Sequence, residues 1–254
     1  MGGDASVPTL AKMLRKEKTA DIARYALERI PGETVDEALI NALKKSKGTS
    51  KIGVMNTLGN RETAAAAGVL EKVLRDKNPV VAGAAASALG RIGTHETATI
   101  LGDALQSAQG TLRADIVEAY LDNALAFVKA GEKNNAQSIY QILFDEKETL
   151  PTRTAALTGL VRTVEDPTTF IVNVLENDDM EEGLKAAATS SVHQCKRPMD
   201  VAAISAALPK LSNISKVQLL TALRERGDAA AHDQVAALIS HDNCLLYTSD
   251  AADE

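Results

Sequence analysis

Four histidines, at positions 95, 193, 232 and 241, are the first places to look for metal or acid–base chemistry. His95 precedes Glu96, and a His-Glu pair can ligate a transition metal, but one pair supplies too few donors for a centre. Thr94 ahead of it reads instead as the cap of a helix that starts there. His193 and Cys195 suggest a base beside a nucleophile. Two residues apart on a helix their side chains diverge, so Cys195 reads as a structural thiol. Asp178, Asp179, Glu181 and Glu182 place four carboxylates within five residues. They fit the start of a helix near Glu181, where acidic side chains complement the positive end of the dipole. The sequence contains no Gly-rich phosphate loop, HExxH, CxxC or GxSxG. It therefore assigns no catalytic residue, no metal and no cofactor.

Lys44, Lys45, Lys47 and Lys51 form the one basic run. No aromatic residue is interleaved with the lysines, so the run reads as a solvated loop between helices rather than an anion site. A formal net charge of −6, 3% aromatic residues and no Trp argue against nucleic acid as the partner. Two distant cysteines make no disulfide framework. No apolar run is long enough to span a bilayer, and the first residues lack a charged segment followed by an apolar one. Membrane insertion is not expected, and the compartment is left open.

The elements that position these side chains follow from Leu74–Gly93, which reads as a helix end, a turn and an alanine-rich helix. Asn78 is the expected cap, Pro79 the first helical residue and Gly93 the left-handed stop. Leu89 of this stretch recurs as Leu27, Leu58, Leu121, Leu160, Val192 and Leu223, at steps of 31, 31, 32, 39, 32 and 31 residues. An apolar pair at helical spacing precedes each, such as Leu39 with Leu43 and Leu70 with Leu74. A helix pair that cannot bury its own apolar face implies stacked copies. The long step predicts an enlarged helix pair around residues 112–144, with Tyr120, Phe127, Tyr140 and Phe144 as a small aromatic core.

Two positions after each aligned residue the chain carries Arg29, Asn60, Arg91, Asn123, Arg162, Gln194 and Glu225, polar in every copy. Such a column makes either a stripe that binds a partner, carried by Arg29, Asn60, Arg91, Asn123 and Arg162, or a set of helix C-terminal side chains bonding the last carbonyls.

The pattern LxDxxPxVxxAAAxALGxIG in Leu74–Gly93 resembles the HEAT repeat, in the short bacterial form shared with phycobilisome-lyase-type proteins. Weaker copies cover Val7–Asn243. The resemblance implies an all-α fold, a right-handed, armadillo-like α-solenoid of about seven antiparallel helix pairs in one array over residues 1–243. It also implies a ladder between basic residues seven positions before the aligned one, Lys51, Arg153, Lys185 and Lys216, and acids in the turns, Asp76, Glu146 and Asp179. Functionally it implies a non-catalytic interaction or scaffold module of a longer bacterial protein, contacting a protein partner or adjoining domains of the parent chain. A lyase-type or accessory HEAT domain of an enzyme is the alternative. Nucleic-acid binding, as in HEAT-like DNA glycosylases, ranks below both. The His95-Glu96 pair is similar to one element of the di-iron site of deoxyhypusine hydroxylases, which need several such pairs.

The tail Cys244–Glu254 interrupts a repeat, and it can be encoded by a string that resembles the transposon-end adapter of tagmentation libraries. The expectation is that residues 244–254 are translated adapter and not native sequence. Without Asp250, Asp253 and Glu254 the net charge changes from −6 to −3.

Overall fold

A computed structural model describes residues 3–14, 16–194 and 200–226. Cys195, Cys244, His232, His241, the Gln194 side chain and the tail 244–254 lie outside the described residues. The described chain is all-α, a succession of paired helices, and it divides into two compact units, residues 1–139 and 140–254.

In the first unit the leading helices are α1 (Val7–Met13), α3 (Glu33–Leu43), α5 (Ala67–Leu74) and α7 (His95–Ser107). The following helices are α2 (Glu17–Glu28), α4 (Gly48–Asn60), α6 (Pro79–Ile92) and α8 (Gly110–Lys129). Helix α9 (Lys133–Leu143) has residues on both sides of the division. The second unit holds α10 (Leu150–Thr163), α11 (Pro167–Glu176), α12 (Glu182–Gln194), α13 (Val201–Ala206) and α14 (Asn213–Arg226). The following helices pack serially, α2 on α4, α4 on α6 and α6 on α8 in the first unit, α10 on α12 and α12 on α14 in the second.

The reference stretch folds as its residues dictate. The Asn78 side chain accepts from Val80 N–H at 3.0 Å, Pro79 is the first residue of α6, and Gly93 ends it at φ 66°. Leu27, Leu58, Leu89, Val192 and Leu223 are buried, as is Leu160. Small residues let the following helices touch at their backbones. A Cβ added to Gly59 would lie 3.0 Å from Ala88 Cα, and one added to Gly90 would lie 2.4 Å from the Ala119 carbonyl oxygen. Helix α8 takes up much of the long step, with 20 residues against 13 in α4 and 14 in α6. Tyr120, Phe127 and Tyr140 are buried as expected, Phe127 packing on His95 at 4.9 Å between ring centres. Phe144 packs on Phe170 at 6.2 Å.

One position in the sequence alignment is corrected. Leu121 is half-buried, whereas Tyr120 beside it is 6% exposed and occupies the place of Leu89. The buried positions of α6, Ala82, Ala85, Ala86, Leu89 and Ile92, map onto Arg113, Ile116, Val117, Tyr120 and Asn123 of α8, of which Arg113 is half-buried. The step is thus again 31 residues, and an aromatic residue fills the core position that leucine or, at Val192, valine fills elsewhere. This register places Arg113 seven residues before Tyr120, where the repeat carries its basic residue; its guanidinium donates to Leu105 O at 2.7 Å.

Candidate functional site

The polar column sits near the C-terminal ends of the following helices, and the structure shows what its members touch. Asn60 donates to Glu28 Oε1 at 3.3 Å, and Arg91 donates to Asn60 Oδ1 at 2.6 Å and to Asn56 Oδ1 at 3.0 Å. In the second unit Glu225 lies 3.5 Å from His193 Nδ1. Each of these residues reaches back to the preceding repeat, so the column is a row of ties between repeats as well as a surface feature. Arg29, at the start of the row, turns onto its own helix. Its guanidinium lies 3.4 Å from the centre of the Tyr25 ring and donates to Tyr25 O at 2.9 Å. Arg162 is exposed on α10.

Asn123 does not belong to the stripe. It is fully buried, because the register of α8 is one residue earlier than the leucine suggested, and the half-buried Asp122 takes the column position. Asn123 Nδ2 donates to Thr97 Oγ1 at 2.7 Å and to Thr94 O at 3.4 Å. It holds the capping box that Thr94 and Thr97 form at the start of α7. In this fold a partner on the surface cannot touch it.

Asn123 belongs to a second column, one position further on, which the sequence pattern did not reveal. Its other members are Arg61 and Arg226. Arg61 Nη1 donates to Leu27 O at 3.1 Å, to Glu28 O at 3.3 Å and to Ile30 O at 2.6 Å, and Nη2 donates to Gly32 O at 3.3 Å. Its Nε donates to Asp36 Oδ1 at 2.8 Å, which also accepts from Thr63 Oγ1 at 2.9 Å. Arg226 donates to Val192 O at 3.4 Å, and Val192 is the counterpart of Leu27. The carbonyls that close a helix point into this position, and their partial negative charge suits a guanidinium. In other repeats the same position holds Ile30, Ile92 and Thr163, so a polarity pattern alone conceals the column.

One rung of the expected basic–acidic ladder forms in each unit. Lys51 Nζ lies 3.2 Å from Asp76 Oδ2 in the first, and Arg153 Nη1 lies 3.3 Å from Glu181 Oε1 in the second. The Asn78 backbone N–H first, and then Lys51, hold the Asp76 carboxyl below its ordinary pKa. Arg153 is buried, 5.8 Å from the centre of the Phe144 ring, and its acidic partner is Glu181 rather than Asp179.

Of the acidic run, Glu182 as well as Glu181 has a defined structural part. Glu182 opens α12 and accepts hydrogen bonds from Ser212 Oγ and Ser215 Oγ, and the Ser215 backbone N–H donates to Ser212 Oγ at 3.2 Å. The N-terminal ends of α12 and α14 are thereby tied together. The two hydroxyls, Ser212 foremost, hold Glu182 below its ordinary pKa.

His95 opens α7 behind the Thr94 cap. Its Nε2 lies 2.9 Å from Glu132 Oε2 and 2.9 Å from Asn135 Nδ2, and Asn135 also donates to Glu132 at 2.7 Å. Its neighbour Glu96 lines an open groove of about 780 Å³ with Glu71, Arg75 and Asp103. Lys45 and Lys47 line another, of about 1010 Å³, with Ala11, Leu14 and Ala38. Among the described residues no three His, Cys, Asp or Glu side chains are grouped to hold a metal ion, and no helix is long and apolar enough to cross a membrane.

Residues 36–120, which run from α3 into α8, match the family model described as HEAT repeats. This segment carries HEAT repeats. Among solved structures, human deoxyhypusine hydroxylase in complex with glycerol is 18% identical, with a TM-score of 0.47 over 96% of this chain and 92% of that one. The complex of CpcE and CpcF of phycocyanin lyase from Nostoc sp. PCC7120 is 19% identical, with a TM-score of 0.44 over 89% of this chain and 90% of that one. No curated protein matches.

Proposed function

We propose that this HEAT-repeat chain is a non-catalytic protein-interaction module. The observation that carries the reading is the side-by-side packing of α2, α4 and α6, with backbones in contact at Gly59 and Ala88 and side chains tied through Glu28, Asn60, Arg91 and Asn56. Successive helices locked in this way present a rigid surface in which the position of each side chain is set before a partner arrives, which lowers the ordering cost of binding. On that surface Arg29, Tyr25 and Asn60 are exposed, and Glu28, Asn56 and Arg91 are half-buried.

The experiment is photo-crosslinking in lysate of the source organism, with the crosslinker placed at the exposed Tyr25 and, as a control, at Gly68 on α5. A defined protein adduct at Tyr25, lost in an Arg29→Glu variant with unchanged circular dichroism, supports the module. Adducts that are equal at both positions and insensitive to the charge reversal overturn it.

A further inference from the structure

Arg153 and Arg61 are buried to the same degree, their side chains each 9% exposed, yet their donors are not equally used. Arg61 Nε, Nη1 and Nη2 all meet oxygens. Arg153 Nη1 meets Glu181, but Nη2 meets the Met180 sulfur, 4.0 Å away, and Nε has no hydrogen-bond partner among the described residues. Nε and Nη2 share one edge of the planar guanidinium, so that edge has a sulfur before it and no oxygen. A thioether is a weak acceptor, and buried N–H groups left without a better one are costly.

The 4.0 Å gap has the length that one oxygen atom would bridge. A sulfoxide S–O bond of about 1.5 Å and a charge-assisted hydrogen bond of about 2.8 Å, meeting at about 130°, together span about 4 Å. The sulfur is also placed where a small oxidant can reach it. Met180 is half-buried against the apolar core of the second unit, in the turn between α11 and α12, where Asn177, Asp178 and Asp179 before it are exposed. Met55, by contrast, is fully buried in α4.

We propose that Met180 is a site of oxidation to methionine sulfoxide, and that the new oxygen is received by the Nε–Nη2 edge of Arg153. The oxidant is a hydroperoxide. A lone pair of Sδ attacks its terminal oxygen, the S–O bond forms as the O–O bond breaks, and the hydroxyl proton passes to the departing oxygen, which leaves as water or an alcohol. The sulfur gives up two electrons and the peroxide gains them. Glu181 keeps Nη1, so the rung from α10 to the start of α12 stays in place, and the sulfoxide adds a second tie from Arg153 to the same turn. A sulfoxide usually weakens apolar packing. Here it supplies an oxygen to buried donors that lack one, so oxidation strengthens the second unit. The inference does not depend on the module reading above.

The test treats the full chain with hydrogen peroxide and follows each methionine by peptide mass spectrometry, with thermal melting before and after. Met180 is expected to react well ahead of Met55. Oxidation is expected to raise the melting midpoint of the parent by about 2–4 °C relative to its effect on Met180→Leu, in which the other methionines react alone. In Arg153→Lys, which lacks the donor edge, the same treatment is expected to lower the midpoint. Met180→Gln places an amide oxygen where the sulfoxide oxygen would stand, and needs neither peroxide nor a folded Arg153→Lys protein; it should melt no lower than Met180→Leu. A Met180 that reacts no faster than Met55 overturns the proposal. So does a parent whose midpoint does not rise relative to Met180→Leu, an equal response in the parent and Arg153→Lys, or a Met180→Gln protein that melts below Met180→Leu.

Discussion

Arg91 reaches back 31 residues to donate to the side-chain oxygen of Asn60 at 2.6 Å, and Asn60 in turn donates to Glu28. Three successive following helices are thus linked by side chains that a polarity pattern reads only as a surface stripe. Replacing either Arg91 or Asn60 by Ala should lower stability by about 1 kcal/mol, since both are partly solvated and water recovers part of the lost bonds. In a double-mutant cycle read by urea unfolding the two effects should be non-additive by about 0.5 kcal/mol or more. Strict additivity would remove the tie.

Arg61 is the stronger clasp. Its side chain is 9% exposed, pairs with Asp36, and satisfies the carbonyls that end α2. Arg61→Ala takes the guanidinium from those carbonyls and leaves Asp36 with Thr63 alone, and should cost about 2–4 kcal/mol. Arg61→Lys keeps the charge but loses the fork that reaches several oxygens at once, and should recover less than half of that. Thermal melts of the three proteins check the order; a lysine variant as stable as the parent would contradict the geometry.

How much of this was legible in the sequence follows from what each residue does. The helix pairs and their phase were readable because Pro79, Gly93 and the buried leucines have local physical meaning at fixed spacing. Residues 36–120, which match the HEAT family model, lie within that phase. Asn123 was misplaced because Leu121 is the better apolar residue by type, whereas Tyr120 fits the volume between α6 and α8. Choosing between adjacent residues needs the neighbouring helix, which the sequence order does not supply. The Arg61, Asn123 and Arg226 column stayed hidden for a related reason: its role is to satisfy backbone carbonyls outside its own helix, and two different residue types in some repeats but not others perform it.

Glycine substitution separates backbone contact from helix propensity. In an open helix interior Gly→Ala is worth up to about 1 kcal/mol in favour of alanine. At Gly90 a Cβ would meet Ala119 backbone atoms at 2.4, 2.8 and 2.9 Å, which only a shift of α8 against α6 can relieve. Gly90→Ala should therefore destabilise by about 1–3 kcal/mol. Gly68→Ala, with nothing within 4 Å of the added atom, should be neutral or slightly stabilising. Chemical denaturation of both variants decides it. Equal effects would mean the following helices are not in backbone contact.

The bond between Glu182 and the two serines makes a pH-dependent contribution whose sign is fixed. Its pKa is lowered in the folded protein from an ordinary value of 4.5, chiefly by Ser212 and then Ser215. The charged form is therefore favoured by folding. The contribution is fully present above about pH 4.5 and fades as the pH falls through the folded pKa, where both folded and unfolded chains bind the proton. The urea midpoint of the parent should fall between neutral pH and acid more steeply than that of Glu182→Gln, which loses the contribution at every pH. Ser212→Ala should fall between the parent and Glu182→Gln in slope, because the hydroxyl that lowers the pKa most is gone while Ser215 remains. A Glu182→Gln profile parallel to the parent across the acid limb would show that the α12–α14 tie carries no charge-dependent stability.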